Sequence, residues 1–340
     1  MSDFKNTLNS LIDGKNLSHE AMLGTMRQVM AGELTPAQIS ALLVALRIKG
    51  ETIDEIAAAA SVMRELSSKV AIHDTQHLID TCGTGGDGIQ TFNVSTVSAF
   101  VAAAAGARVA KHGGRSVSST CGSADVLEVL GVNVNQTPEQ VADCVNKIGV
   151  GFMFAPNHHS AMKHSAPVRR ELGVHTIFNL LGPLTNPASA KRQVMGVFSQ
   201  VLTSKLARVL QQLGSEHVVV VCGANGMDEI SFSGDTFVAE LKNGQVNEYV
   251  LNPQQFGLGL HDVADIKVAD AYASKVMILQ VLSGVTGPAR DIVLLNSGAA
   301  IYVAGLVPNL QDGIAVASEM LDSGKAMHKL EQLVAMTKAS

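Results

Sequence analysis

Three clusters of residues have types and spacings suited to chemistry. The first is Asp80-Thr81-Cys82-Gly83-Thr84-Gly85-Gly86-Asp87, where three glycines in four positions leave backbone N–H groups uncovered. A loop of that kind holds a phosphate. Thr91 and then Asn93-Val94-Ser95-Thr96 follow at the start of an apolar helical run, so hydroxyls meet the free N–H groups of a helix N-terminus. Ser95 is thereby also a candidate metal ligand. The second cluster is Lys111-His112-Gly113-Gly114-Arg115-Ser116-Val117-Ser118-Ser119, shortly before Gly122-Ser123. It gathers two cations, an imidazole and several hydroxyls around two glycines, a set suited to an anionic ligand. Taken singly, Lys111 or Arg115 reads as a solvated charge and His112 as a hydrogen-bonded loop histidine. The third cluster is Asp228-Glu229, after an apolar run and the turn Cys222-Gly223-Ala224-Asn225-Gly226. Adjacent carboxylates suit Mg²⁺, which takes oxygen ligands and shares them with substrate phosphates.

The elements that position these clusters are legible in outline. Up to about Ser68 the apolar spacing is helical. Thr35-Pro36-Ala37-Gln38 combines an N-cap, a Pro at the first helical position and a reciprocal capping residue, and Thr52-Ile53-Asp54-Glu55 repeats the box. The first helix is expected to end at Gly50 and the second near Leu66. From His77 short apolar runs alternate with glycine turns and helical segments, the pattern of an α/β unit with a mostly parallel central sheet flanked by helices. Candidate strands are Leu78 to Asp80, Arg108 to Ala110, Gly149 to Phe154 and His217 to Val221. Candidate helices include Val94 to Ala105, Ala124 to Leu130 and Pro138 to Ile148. The expected organisation is a small all-helical domain over 1–70 and a larger α/β domain over 71–340. A helical island around 160–187, carrying His159, Arg169 and Pro183, joins the first domain in space. Because ligands of such sheets bind at the carboxyl ends of strands, the glycine-rich clusters fall where a site belongs.

Composition narrows the classes. Of 340 residues 46% are hydrophobic, only 4% are aromatic and none is Trp, so the core is built from aliphatic side chains and Met. Net charge is −5, which argues against a surface made for a nucleic-acid backbone. The longest apolar stretch, Val97 to Ala105, is far too short to span a membrane, and Met1-Ser2-Asp3-Phe4-Lys5-Asn6 lacks the order of a signal peptide. Cys82, Cys121, Cys144 and Cys222 form no C-x-x-C pair, so neither a zinc knuckle nor a disulfide framework is indicated. A reducing, cytoplasmic setting is the expectation. His158, His159 and His164 lack a Cys or acid at ligand spacing and read as loop residues. Met22, Met26 and Met30 read as a core or dimer-facing helix stripe.

Gly83-Thr84-Gly85-Gly86-Asp87, Asn93-Val94-Ser95-Thr96, Lys111-His112-Gly113 with Ser118-Ser119, Arg169-Arg170-Glu171-Leu172-Gly173, the Thr176-to-Pro187 run and Asp228-Glu229 together resemble the anthranilate phosphoribosyltransferases in order and spacing, over nearly the whole chain. The resemblance implies the type III phosphoribosyltransferase fold, a helical domain hinged to an α/β domain, and a homodimer through the N-terminal helices. It implies transfer of the 5-phosphoribosyl group from its 1-diphosphate to the amine of anthranilate, in tryptophan biosynthesis, with one or two Mg²⁺ per subunit. Donor contacts would come from Gly83, Gly86, Asp87, Thr91, Asn93, Val94, Ser95, Thr96, the run Lys111 to Ser119 and Ser123. Ser95, Asp228 and Glu229 would hold the metal. Gly83, His112, Gly114, His159, Arg169 and Pro183 would line the anthranilate site, with Arg169 facing the carboxylate. No catalytic nucleophile or triad is expected.

Three positions depart from the family pattern. Gly114 stands where the family usually has an Asn that orients anthranilate, Ser160 where it commonly has Pro, and Thr120-Cys121 where Lys-Ser is more usual. Two other readings compete. A pyrimidine nucleoside phosphorylase shares the fold but lacks Asp228-Glu229 and the Asn179-to-Pro187 run as they stand here. A nucleic-acid-binding paralogue needs a basic groove, which the excess of acids opposes.

Overall fold

The computed structural model describes residues 4–115 and 121–338. Four helices come first: α1 (Phe4–Ile12), α2 (His19–Ala31), α3 (Pro36–Lys49) and α4 (Ile53–Leu66). Both expected capping boxes form. Thr35 and Gln38 cap each other's backbone, as do Thr52 and Glu55, and Gly50 ends α3 at φ 82°. Met22, Met26 and Met30 lie inside this bundle rather than on its outside, and Ala57 to Ala60 are fully covered where α4 meets α2 and α11. Alanine at these positions lets the backbones come close at no side-chain entropy cost.

The rest of the chain alternates β1 (Leu78–Asp80), α5 (Val94–Ala104), β2 (Arg108–Gly113), α6 (Ser123–Leu130), α7 (Pro138–Ile148), β3 (Val150–Phe154), α8 (Ala155–His158), α9 (Ala166–Leu172), α10 (Ile177–Leu181), β4 (Arg192–Gly196), α11 (Val201–Gln212), β5 (His217–Gly223), β6 (Thr236–Lys242) and β7 (Gln245–Leu251). Four helices close it: α12 (Ala271–Leu282), α13 (Pro288–Val303), α14 (Leu310–Asp322) and α15 (Lys325–Lys338). Among the described residues the sheet has seven strands in the order β3-β2-β1-β4-β5-β6-β7. The first five are parallel and the last two antiparallel. The chain builds outward from β1 to β3 and then returns to place β4 on the other side of β1, so the strand order reverses between β1 and β4. That reversal opens a crevice at the carboxyl ends of the two strands.

Sequence reasoning stopped β2 at Ala110, but the strand runs on through Lys111, His112 and Gly113, because β3 pairs with it as far as Phe154. Ladder pairing carried polar residues that periodicity alone assigns to a loop. The short strand β4, with Arg192 and Gln193 at its start, and the β6–β7 hairpin lay outside the expected strands. The hairpin turns on Asn243-Gly244, both at positive φ, which is the backbone a two-residue connection needs.

Alternate residues of β4, β5 and β6 serve different layers. Met195, Val218, Val220, Ala239 and Leu241 share an apolar core with α2, α3 and α4, whereas Val194, Val219, Val221 and Val238 face the core built on α5 and α13. Val168 on α9 and Ile177, Phe178, Leu180 and Leu181 on α10 enter the first of these cores, so the 160–187 island packs on the N-terminal helices.

Candidate active site

The glycine-rich loop leaves β1 through Thr81 and Cys82 and turns with Gly85, Gly86 and Gly88 at φ of 63°, 79° and 72°. Those positions favour glycine because a Cβ disfavours the left-handed region. The loop is pressed against the end of β4: Thr84 N donates to Gly196 O at 2.9 Å, and a Cβ on Gly83 would stand 3.0 Å from Asp228 Oδ2. Gly196 is tighter still, since a Cβ there would lie 1.4 Å from the carbonyl oxygen of Asp228. Two bare backbones thus let the Asp228-Glu229 segment lie across the crevice.

Both carboxylates are held by backbone from the first cluster. Gly85 N donates to Asp228 Oδ2 at 2.8 Å, and Ser95 N, at the start of α5, donates to Glu229 Oε1 at 3.1 Å. That N-terminal N–H was expected to face a ligand anion, but a protein carboxylate takes it. Burial, with repulsion from Asp87 on Asp228 and from Asp228 on Glu229, raises the proton affinity of both acids well above the usual carboxylate range. Behind them Lys111 reaches from β2 to the Ser95 hydroxyl at 3.2 Å and to the carbonyl of Thr81, and its charge favours the ionised forms of Asp80 and Glu229. Thr81, Gly83, Ser95, Gly196, Asp228 and Glu229 line one cleft.

The neighbouring donor candidates are tied down around it. Asn93 donates Nδ2 to Cys121 O at 3.2 Å and accepts from the Ser274 hydroxyl at 2.7 Å, so its side chain spans to α12 rather than capping α5. Val94 is buried, and Thr96 buries a hydroxyl that finds no partner among the described residues. Thr91 forms a single antiparallel bridge with Lys267, and Asp87 accepts from Ile89 N. Gly113 lacks a side chain where Ser123 Oγ would lie 2.2 Å from a Cβ, and the Ser123 hydroxyl donates to Gly114 O at 3.4 Å. Gly86 lies in the turn at positive φ. Ser116, Val117, Ser118 and Ser119 lie outside the described residues.

Arg115 differs from its expected role. Its exposed guanidinium pairs with Glu128 at 2.7 and 2.8 Å and with Asp125 at 2.9 Å, and lies over the Phe154 ring. Two acids one helical turn apart on α6 outcompete the cleft for it.

On the side facing the helical island, His112 donates its Nδ1 N–H to Gly182 O at 3.2 Å, leaving Nε2 as a lone-pair acceptor with no partner among the described residues. His159 lies 5.1 Å away ring to ring, also with a buried Nε2 that finds no partner there. Burial, reinforced by the neighbouring imidazoles, pushes His112 down to about 3 and His159 to about 4, so both rings are neutral. His158 turns away and bonds Ser68 O at 3.0 Å. Pro183 is buried beside them, its carbonyl accepting from Gln193 at 2.9 Å. Arg169 lies half-buried over the Phe178 ring, 5.3 Å from its centroid, with no acid beside it among the described residues; burial alone lowers its proton affinity. Gly114 faces open space.

Three buried polar side chains to which sequence reasoning gave no individual role hold this arrangement. Asp80 accepts from His112 N at 3.1 Å and from Asn186 Nδ2 at 2.7 Å, Gln193 ties β4 to Pro183, and Asn296 on α13 bonds the residue after Glu229. The sequence signal for Asn296 is an amide directly after the apolar run Ile292-Val293-Leu294-Leu295.

A helical bundle beside a mostly parallel sheet, with paired carboxylates and a glycine loop at the strand-order reversal, defines a two-part glycosyltransferase. The helical bundle domain of the glycosyl transferase family matches residues 5–67, and its a/b domain matches residues 75–327. An anthranilate phosphoribosyltransferase of Methylobacillus flagellatus is 65% identical over 336 residues, covering 99% of this chain and 98% of that protein. The crystal structure of anthranilate phosphoribosyltransferase from Thermus thermophilus is 43% identical, with a TM-score of 0.92 over 97% of this chain and 99% of that one. The Saccharomyces cerevisiae enzyme in complex with PRPP and Mg is 29% identical, with a TM-score of 0.84 over 95% and 93%. The chain belongs to the anthranilate phosphoribosyltransferase family.

Proposed function

We propose that this cleft transfers the 5-phosphoribosyl group of 5-phosphoribosyl 1-diphosphate to the amine of anthranilate, releasing diphosphate, as a step of tryptophan biosynthesis. The observation that carries it is the meeting of Gly85 N–Asp228 and Ser95 N–Glu229 at the reversal between β1 and β4. The donor set fits magnesium. Two carboxylates and the Ser95 hydroxyl are all hard oxygens brought to one cleft, the kind of ligand Mg²⁺ takes. No three His, Cys, Asp or Glu side chains among the described residues could hold a metal between them, so phosphate oxygens and water would complete the shell. Bound there, magnesium would neutralise charge on the departing diphosphate.

The chain's own groups do the rest. The glycine-loop N–H groups not taken by Asp228 or Gly196 would meet the phosphates, with Lys111 adding positive charge from behind the two carboxylates, and Arg169, with no acid beside it among the described residues, would receive the anthranilate carboxylate. His112 keeps Nε2 unprotonated to accept from the amine N–H and orient it. An aryl amine is neutral at pH 7 and already nucleophilic, so positioning and charge stabilisation suffice. Residues 1–70 with the island around 160–187 would form the body that carries Arg169, with His159 at its edge, and the rest of 71–340 the body that carries the donor site. Closure between them would bring the two substrates together. Ile12 and Ile48, 69% and 81% exposed on α1 and α3, support a homodimer through the N-terminal helices, and light scattering on the purified protein tests it. We place the protein in the cytoplasm, where its four buried thiols stay reduced; no helix among the described residues is long and apolar enough to cross a membrane.

The direct experiment mixes purified protein with magnesium, donor and anthranilate and follows anthranilate fluorescence. Steady loss that needs both donor and metal supports the assignment. No loss at millimolar donor overturns it.

A further inference from the structure

The segment bearing the two carboxylates belongs to no helix or strand, yet it lies across the crevice, with the Asp228 carbonyl against Gly196 and the Asp228 side chain on Gly85 N. Its backbone is also held on either side of the two acids. On one side Gly223 N donates to Met227 O at 2.8 Å. On the other side a single residue bonds both backbone groups of Ile230. Asn296 Oδ1 accepts from Ile230 N at 2.9 Å, and Asn296 Nδ2 donates to Ile230 O at 3.0 Å and to Ile292 O, one turn back on α13, at 2.9 Å. Asn296 is 2% exposed among Ile292, Val293, Leu295, Ala299 and Ala300, where an amide is unfavourable unless every group is paired. Here both N–H bonds and the carbonyl are used, and the amide forms the two-bond pairing that a neighbouring strand would otherwise supply. It also borders the cleft itself.

We infer that Asn296 is a positioning residue for the metal-diphosphate site: by clamping Ile230 to the rigid helix α13 it fixes Glu229 and Asp228 at the spacing a dication requires. The inference rests on reading Asp228 and Glu229 as metal ligands. Groups that orient ligands without touching the ion typically change metal affinity by about 10–100-fold. Asn296 acts through the backbone, but the geometric argument is the same.

The test uses the full-length protein with phosphoribosyl diphosphate and Mn²⁺, whose binding is read by electron paramagnetic resonance. Asn296→Asp keeps the acceptor for Ile230 N and loses both donors, and Asn296→Ser keeps the size small. Each should raise the Mn²⁺ half-saturation by roughly tenfold and raise the donor KM, while the anthranilate KM stays within about twofold. Ile292→Val, on the same buried helix face, lowers the unfolding midpoint without moving the Mn²⁺ curve, which separates positioning from general loosening. An unmoved Mn²⁺ curve in the Asn296 variants overturns the inference. So does fast hydrogen exchange at the Ile230 amide of the metal-free wild type, a measurement that needs no variant; slow exchange there supports the clamp. Wild-type protein that binds no Mn²⁺ with donor present overturns the reading of the site itself, a separate result.

Discussion

Asn186 donates its side-chain amide to the buried carboxylate of Asp80 at 2.7 Å, although 106 residues separate them, and with the same Nδ2 bonds Ala110 O at 2.9 Å. Asp80 ends β1 and also receives His112 N, so this one contact joins the glycine loop, the lysine strand and the end of the Thr176-to-Pro187 run. Burial raises the Asp80 carboxyl to about 6, while Lys111 and the Asn186 bond favour its charge.

Asn186→Ala leaves that carboxylate short of a donor in a dry site. A buried group that loses its partner costs about 1–3 kcal/mol. The unfolding free energy from urea titration should fall by that amount at constant m-value, with a lower midpoint, and the Asp80 carboxyl should rise further. An unchanged midpoint would show that Asn186 contributes no net stability.

Arg169→Ala removes the cation placed to receive a carboxylate beside Phe178. It should raise the anthranilate KM by roughly 10–100-fold, the loss of a charge-assisted hydrogen bond worth about 1.5–3 kcal/mol, and leave the donor KM nearly unchanged. Asp228→Ala and Glu229→Ala should do the reverse. Steady-state kinetics with each substrate varied in turn decide it, and equal effects of all three on the donor would sink the division.

Gly114→Asn restores the amide that the family usually carries. A Cβ built at Gly114 meets no described atom within 4 Å, so the first atom of the new side chain displaces no described neighbour. Anthranilate KM should drop several-fold, by the roughly 0.5–1.5 kcal/mol of a neutral hydrogen bond, with thermal stability held. A higher KM would mean that the pocket here is shaped for the missing side chain.

Much of this could be read along the chain, and the misses share a cause. Thr35, Thr52, Gly50 and the glycine loop act locally, through caps and positive φ, and local signals survive in sequence. Asn243-Gly244 was equally local, and its hairpin signal passed unused between two short runs that are mixed in polarity. Asp80, Asn186, Gln193 and Asn296 each act on the site through a partner 66 to 111 residues away, and a lone buried amide leaves no periodic trace. Arg115 is a different case: its spacing to Asp125 and Glu128 was visible, but only helix α6 shows that both acids point at it.

The neutral state of His112 has a pH signature. Its folded pKa, about 3, lies below the unfolded value near 6.5, so the unfolded chain takes up the proton first and stability falls as pH drops from about 6.5 toward 3. Asp80 has the opposite sign, since the folded state protonates first and its contribution is lost as pH rises toward about 6. His112→Asn should therefore remove a slope of up to about 1.4 kcal/mol per pH unit between roughly pH 4 and 6, leaving the Asp80 trend exposed. Urea unfolding across that range measures the difference between the two proteins. Parallel curves would place the His112 proton elsewhere.

Gly196→Ala is the most economical disruption of the site. The added methyl would sit 1.4 Å from Asp228 O and 2.3 Å from its carbonyl carbon, distances no side-chain rotation can relieve because both are backbone atoms. Either β4 or the Asp228-Glu229 segment must move. β4 is hydrogen-bonded on both sides, to β1 and β5, whereas the segment is held chiefly by Gly85 N, Ser95 N and Asn296. The segment should yield first, drawing the carboxylates away from Ser95. Donor and metal use should then collapse while the cooperative unfolding transition remains, shifted by about 1–3 kcal/mol, the range for inserting a methyl into a packed interior. A variant with wild-type donor KM would show that the crevice tolerates a wider gap between β4 and Asp228 than this packing allows.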